Sequence, residues 1–504
     1  MLATVLLASG CSGENAGNKN TDGEERKEII TIDLVNEPSS LDPQMQWNPD
    51  SYYVYRNIYD NLLTRNSQNE IVGSVATDWK YLSDTEVEFT IRDDIVFHDG
   101  VRLTPSDVAY SVKRITNPEF GSPQLGQFSK ILHAEVTGEN TVKLTTDGPY
   151  PVLLPQLVKL SVVPRHYVEE IGKDQFNLQP MGSGPYRFVE WRRGVSVTLE
   201  RNDEYWGAKG AFPMAIFRAV PDSSTRIADL RSGMADLVVS IDPDQAGQLT
   251  YAAGVQQLPV LTERIAYLRL NVERPPLSDV RLRQAIAHAI DKQLIIDALL
   301  GGVSQPANIM LSEFHFGWME ESDYLEYDPE KARRLIAESG AVGQQKIEFV
   351  ISQVYDPRII QAIQQMLTDV GLNVSINLLD MSTYLNVTRG EINERPDMSY
   401  GRWSCACQDA DGVLYPLLHS TSQWSGTNDP VFDSLTEDGR RTLDAAERMQ
   451  AYEKVHQRIA MNVPLVPLFQ MAIIYGASDH LQWTPTPSED MFLNKMSWSQ
   501  YNNK

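Results

Sequence analysis

The chain has 504 residues, more than one ordinary hydrophobic core can serve, so two or three lobes are expected. Hydrophobic residues at 42% and charged residues at 22% are the proportions of a soluble globular protein, and a formal net charge of −23 excludes nucleic acid as a partner, since phosphates would be repelled where no basic stripe compensates. The three cysteines, Cys11, Cys405 and Cys407, exclude a disulfide-stapled scaffold and a four-cysteine zinc site, and no apolar run approaches the roughly 18 to 20 residues of a membrane-spanning helix.

Met1 to Ser9 reads MLATVLLAS and is followed by Gly10 and Cys11. An apolar stretch, then small residues, then cysteine is the pattern of a bacterial lipoprotein signal, in which the thiol is acylated after cleavage in front of it. Acyl chains at about 0.8 kcal/mol per buried CH₂ hold a soluble domain at a membrane surface. Residues 1–10 are therefore read as the signal and Cys11 as the lipidation site. The basic region that should precede the apolar stretch is missing, so the true start is expected upstream, with a frayed terminus and an incidental cysteine as the alternative. Residues 11–27 carry no large apolar side chain and read as a flexible tether.

Beyond the tether, Ile29 to Val35 has the alternation of a strand, and Tyr52 to Leu63 places apolar residues at helical spacing. Glu86 to Ile91 and Thr141 to Leu144 alternate as strands. Thr104 is an N-cap with Pro105 at the first helical position and Asp107 two further on. Tyr186 to Glu190, Val195 to Arg201 and Ala215 to Ala219 are three more strands, and Ser223 to Ser232 is a helix closed by Gly233. Ile265 to Leu270 is a strand, Pro275-Pro276 a turn, and Asp279 to Leu300 one long amphipathic helix. A helix over Asp328 to Glu338 precedes a strand–helix–strand unit at Lys346 to Ser352, Arg358 to Val370 and Asn373 to Leu378. Strands and helices alternate in both halves, which predicts an α/β protein, and no internal repeat is visible.

Four long phrases stand out: RDDIVFHDGVRLTPSDVAYSVKR (92–114), PMGSGPYRFVEWRRGVSVTLERNDEYW (180–206), RAVPDSSTRIADLRSGMADL (218–237) and LRLNVERPPLSDVRLRQAIAHAIDK (268–292). With NEPSSLDP at 36–43, and in this order, they resemble the dipeptide/oligopeptide-binding proteins of ABC importers, bacterial extracellular solute-binding protein family 5. The resemblance implies a periplasmic-binding-protein-like fold (type II, cluster C), with two large lobes, a hinge and an extra inserted domain. It assigns 28–56, 180–265 and 475–504 to domain I, 57–179 to an inserted domain II, and 266–474 to domain III. The residues have their own readings too. Asp99-Gly100 makes a hairpin turn, so His98 packs a turn rather than acting as a catalyst. Gly182-Ser183-Gly184-Pro185-Tyr186 is a tight approach to a strand, and without a following Lys-Ser/Thr it is not a phosphate loop.

The resemblance further implies an extended peptide enclosed between domains I and III by hinge closure, held by main-chain hydrogen bonds. Its ligand loop corresponds to Trp403-Ser404-Cys405-Ala406-Cys407-Gln408-Asp409-Ala410-Asp411. Relatives place there an aromatic residue and an acid that pairs with the ligand's α-amino group. The spacing, W-S, four residues, then acid-A-D, resembles the glutathione-binding branch and nominates Asp409 and Asp411, with capping of the helix near Gly412 as the alternative for either. Cys405 and Cys407 are open to three readings: packed thiols lining the pocket, an oxidised pair, or half of a metal site. Tyr355 and Arg358 lie where relatives contact the ligand's carboxyl end; Gln353 stands where relatives use an arginine, and Arg358 is a substitute or an exposed helix-start residue. Glu37, Pro38 and Ser39 border the cleft from domain I, while Tyr52 and Tyr55 flank the ligand or fill core.

No catalytic residue, metal site or cofactor is expected. The sequence lacks G-x-S-x-G, H-E-x-x-H and S-x-x-K with its partner motifs, so a peptide hydrolase is the lesser alternative. A nickel chelate, haem, an opine or an oligosaccharide is alternative cargo on the same fold, and a receptor without a transport partner is a further alternative. The expected partners are a peptide-like solute and an ABC permease, with the chain monomeric, extracytoplasmic and held to the membrane by its lipid alone, in the periplasm if the cell is Gram-negative.

Overall fold

The computed structural model describes residues 28–46, 48–320, 326–340 and 346–499. The signal read at 1–10, Cys11 and the tether at 11–27 lie outside the described residues. The chain opens with β1 (Ile29–Leu34) and continues through a hairpin, β2 (Leu63–Arg65) and β3 (Ile71–Gly73). A separate four-stranded antiparallel sheet follows: β4 (Ala76–Ser83), β5 (Glu86–Ile91), β6 (Ile131–Val136) and β7 (Thr141–Thr146), in the order β4-β5-β7-β6. Next come β8 (Tyr186–Arg192), β9 (Ser196–Arg201), β10 (Met214–Ala219) and β11 (Leu237–Val238). The second half adds β12 (Val255–Leu270), β13 (Gln305–Pro306), β14 (Lys346–Ser352), β15 (Asn373–Leu379), β16 (Met398–Trp403) and β17 (Leu465–Ser478). A short pair, β18 (Leu481–Gln482) and β19 (Ser497–Trp498), closes the described chain.

One eleven-stranded sheet carries both halves, in the order β15-β14-β16-β12-β17-β11-β1-β10-β9-β8, with β13 added on β17. β1 runs parallel to β10 and β11 at one end, and β14 runs parallel to β15 and β16 at the other. The antiparallel strands β12 and β17 pass between these ends. Val255–Leu261 of β12 pairs with β17 residues 472–478, and Ile265–Leu270 pairs with both β17 and β16. The register slips between Leu261 and Ile265, so Thr262, Glu263 and Arg264 occupy the joint between the two halves. A bulge here bends the strand and leaves residues outside the ladder free to project into the space beside it.

Three large apolar clusters support this frame. One packs Ile30, Ile32, Phe217 and Tyr475 around the β1 end; a second packs Phe349, Ile363 and Leu367 around β14–β16. The third begins in the four-stranded sheet at Phe89, Val142 and Leu144 and runs on to Cys407 and Leu414.

Two elements depart from the sequence reading. The helix expected over Tyr52 to Leu63 is Pro49–Tyr55 only. Beyond it the carbonyls of Asn57 and Ile58 accept hydrogen bonds from Tyr186 and Gly184 at 2.9 and 2.8 Å, so that backbone serves a chain crossing rather than a helix. The single helix expected over Asp279 to Leu300 is two, Val280–Ala289 and Lys292–Leu299. Ile290 is extended, and the Asp291 side chain accepts from Leu294 N at 2.9 Å, an N-cap that competes with continuing the helix. Strand β12 is also longer than expected, because Val255 to Arg264 has no clean alternation and takes its strand form from β17.

Glycine and histidine complete the crossing. A Cβ on Gly184 would lie 2.7 Å from Asn57 O, and one on Gly182 would collide with Ile58 O. His98 N donates to Gly182 O at 2.9 Å, and His98 Nε2 lies 3.0 Å from Gly184 O. Burial lowers the His98 pKa to about 4, so its neutral ring fastens the turn at Asp99-Gly100 to the crossing.

Candidate functional site

In open α/β sheets, ligands bind beyond the carboxyl ends of the parallel strands, where the chain changes direction. Here those ends belong to β1, β10 and β11 in one half and to β14, β15 and β16 in the other. Glu37, Pro38 and Ser39 follow β1, Tyr355 and Arg358 follow β14, and Trp403 ends β16. The nominated residues therefore sit at the strand ends of both halves. Between them, Tyr52, Lys159 and Arg264 are half-buried; the Arg264 side chain is 29% exposed. These half-buried polar side chains stand beside the bulge in β12, between the strand ends of the two halves.

Trp403 is half-buried and aimed by its neighbours: Nε1 donates to Gly412 O at 2.9 Å, and the ring meets Trp424 edge-on at 5.3 Å. The Arg389 guanidinium lies 3.6 Å from the other tryptophan's centroid. Cys405 and Cys407 are joined by a disulfide within the buried loop, which decides among the three readings in favour of the oxidised pair. Gly412 packs directly beneath both sulfurs, where a Cβ would collide with them. Arg65, on β2, donates to Cys407 O at 3.1 Å and ties the loop to the hairpin.

Asp409 and Asp411 are both buried, and each already faces an arginine. Asp409 Oδ1 lies 2.6 Å from Arg448 Nη2, and Asp411 Oδ1 lies 2.8 Å from Arg440 Nε, although that second pair is not aligned for a hydrogen bond. Asp409 Oδ1 also accepts from Asp411 N at 3.0 Å, at the start of the helix Asp411–Leu418. Burial raises the Asp411 pKa to about 6, with Arg440 pulling it back down. The two acids thus form a helix start locked by arginines, and neither presents an uncompensated charge.

Tyr355 stands edge-on to Tyr400 at 5.1 Å and to Tyr384 at 6.2 Å. Arg358 is exposed; it clamps Asp356 at 2.7 to 3.0 Å and reaches Asp244, in the other half, at 3.3 Å. Glu37 Oε2 accepts from Gly194 N at 2.8 Å and Trp191 Nε1 at 3.3 Å, which pins it to the β8–β9 turn. Pro38 is buried, and Ser39 is exposed with its N–H on Ser51 Oγ at 3.0 Å. Tyr55 is core, whereas Tyr52 keeps open surface.

Several residues at the joint were missed from the sequence. Glu263 is 5% exposed and neither carboxylate oxygen has a hydrogen-bond partner; burial raises its pKa to about 8 against the pull of Lys159. Lys159, whose Nζ donates to Gln127 Oε1 at 2.6 Å, is lowered to about 8 by burial. Arg264 pairs with Glu489 at 2.9 Å. Arg402, one residue before the nominated tryptophan, lies with its guanidinium 4.9 Å from the Tyr355 centroid. Two adjacent charges inside the apolar stretch 258–270 were the available signal for Glu263 and Arg264; Arg402 left none.

The sequence model of the bacterial extracellular solute-binding proteins, family 5 (Middle), matches residues 70–425. The chain belongs to that family. Heme-binding protein A of Haemophilus influenzae is 24% identical over 513 residues, covering 93% of this chain and 92% of that protein. The glutathione-binding protein GsiB of Pectobacterium atrosepticum is 26% identical over 467 residues, 88% of each. Among solved structures, the ABC transporter substrate-binding protein CtaP of Listeria monocytogenes superposes with a TM-score of 0.86 at 23% identity, over 94% of this chain and 99% of that one. Family 5 proteins are binding proteins of ABC importers and not enzymes, and the α/β frame described above is their fold.

Proposed function

We propose that this family 5 protein captures a peptide-like solute of di- or tripeptide size outside the cell membrane and hands it, unaltered, to an ABC permease. The observation that carries the reading is the placement of aromatic and charged side chains at the strand ends of both halves of the sheet, on either side of the β12 bulge that holds the unpartnered Glu263. The likeness to a glutathione-binding relative and the tryptophan loop spacing favour a short peptide. In this reading Trp403 and Tyr355 supply apolar walls, the backbone at Glu37, Pro38 and Ser39 supplies hydrogen-bonding edges, and the Cys405–Cys407 bridge, Asp409 and Asp411 hold the loop in shape. Arg358 acts from the rim. Residues 57–179 form the inserted domain, and 266–474 form the lobe that closes on 28–56, 180–265 and 475–504. Closure follows from differential affinity: the ligand touches both halves only when they are together. Cys11 carries the lipid that keeps the protein at the membrane, as a monomer outside the cell membrane, which is the periplasm if the cell is Gram-negative.

Mass spectrometry of solute co-purified with the soluble chain, followed by calorimetry with glutathione, dipeptides, haem and a nickel–histidine chelate, tests the assignment. A peptide-like solute recovered intact and rebinding with a Kd of about micromolar or tighter is expected. Binding of haem or the chelate alone would replace the cargo, and conversion of the peptide during incubation would end the transport reading.

A further inference from the structure

We infer that Arg402 takes a carboxylate group of the bound solute and is a specificity-determining residue of this site. The inference rests on the binding-protein reading above. Arg402 lies on β16 opposite Ala266 of β12, next to Trp403 and at the carboxyl end of the strand. Its guanidinium is set 4.9 Å from the Tyr355 ring centroid, and Tyr355 is itself wedged against Tyr384 and Tyr400, so the stacking surface is rigid. Arginine stacked on an aromatic face keeps its planar fork of donors pointing outward, a geometry that matches a carboxylate through two parallel hydrogen bonds.

The decisive feature is charge balance. Most arginines nearby face an acid or a carbonyl: Arg264 faces Glu489, Arg448 Asp409, Arg358 Asp356, and Arg65 the carbonyls of Asn69 and Cys407; Arg440 lies beside Asp411 without an aligned hydrogen bond, and Arg389, on the Trp424 ring, shares with Arg402 a buried Nε that has no acceptor. Among the described residues no carboxylate lies within 4.0 Å of Arg402, its polar neighbour is the Tyr400 hydroxyl, and its Nε is buried without an acceptor. Asp356, the acid on the same side, is already clamped by Arg358. A half-buried guanidinium with no carboxylate in contact, and only the field of the already clamped Asp356 opposite it, gains when an anion docks on its free donors.

A carboxylate can come from the C-terminus of a peptide or from an acidic side chain, and both are separable. Calorimetry of wild type, Arg402→Gln and Arg402→Lys would use a panel of di- and tripeptides, including a Glu-containing tripeptide, its C-terminal amide and its Gln counterpart, with thermal unfolding to check each variant. The expected result is a loss of about 10- to 100-fold for wild type on one of the two neutralised peptides. Arg402→Gln should bind the acid and that neutral form alike, and Arg402→Lys, which keeps the charge but not the fork, should fall between. Which neutralised peptide suffers identifies the carboxylate. If wild type binds peptides and Arg402→Gln keeps both its affinity and its preference for the acid, the assignment to Arg402 fails while the transport reading stands. If Arg402→Gln is unfolded, Arg402→Lys decides: wild-type affinity and preference in that variant would overturn the assignment. If wild type binds no member of the panel, the peptide reading fails and the inference falls with it.

Discussion

Glu263 is held at the joint with both carboxylate oxygens unpartnered, while Lys159, Arg65 and Arg264 supply positive field and Glu489 opposes it. Burial wins, and the pKa rises from the ordinary 4.5 to about 8. The folded protein therefore binds a proton between those values that the unfolded chain has released. The resulting stabilisation is complete below 4.5 and is lost as the pH rises through about 8. Glu263→Gln, which mimics the protonated form, should match wild type in thermal unfolding at pH 5 and exceed it by a few degrees at pH 8.5. An identical difference at the two pH values would show that the carboxyl does not titrate in this way. At this scale the sequence was informative where a side chain acts on its own neighbours, as at Thr104, Asp107 and Gly233, and silent where its environment comes from distant segments. Nothing around Glu263 in the chain announces that Lys159 and Arg65 will face it.

The family phrases become physical at the scale of elements. Asp42 of the opening phrase forms a buried ion pair with Arg114 at 2.5 Å, at the far end of the helix Pro105–Thr116. Arg226 spends its donors on the carbonyls of Val220, Pro221, Val239 and Ser240, fastening a strand–helix–strand crossover from inside. Arg283 does the same for Leu277, Ser278 and Asn462. These arginines satisfy backbone carbonyls that would otherwise be buried without a donor. The glycines at the crossing act by absence of a side chain: Gly184→Ala places a Cβ against the carbonyl of Asn57 and the backbone of Ile58, which cannot rotate away. A loss of about 1–3 kcal/mol in denaturant unfolding is expected, and a smaller loss would mean that the crossing strands separate without cost. The same backbone demand shortened the helix after Tyr55, and local capping at Asp291 divided the helix that periodicity alone makes continuous. Periodicity reports which face is apolar; it does not report which carbonyls another segment will claim.

Across the whole molecule, Arg358 and Asp244 form an exposed pair that joins the helix after β14 to the opposite half. An exposed pair contributes at most about 1 kcal/mol and is screened by salt. Arg358→Ala should therefore change solute affinity by less than about fivefold, with the difference vanishing at high ionic strength. A larger, salt-insensitive loss in calorimetry would make Arg358 a direct ligand contact. By itself the sequence determined the α/β class and most strands and helix caps, because these depend on spacing, capping and turn chemistry within a few residues; the candidate loop came from the family resemblance. Only the tertiary structure decided that Asp409 and Asp411 already face arginines, that the two loop cysteines are joined, that the Glu263 carboxylate has no hydrogen-bond partner, and that Arg402 touches no carboxylate among the described residues. Charge balance in a cleft is set by residues brought together from separate segments of the chain, and no local pattern encodes that sum.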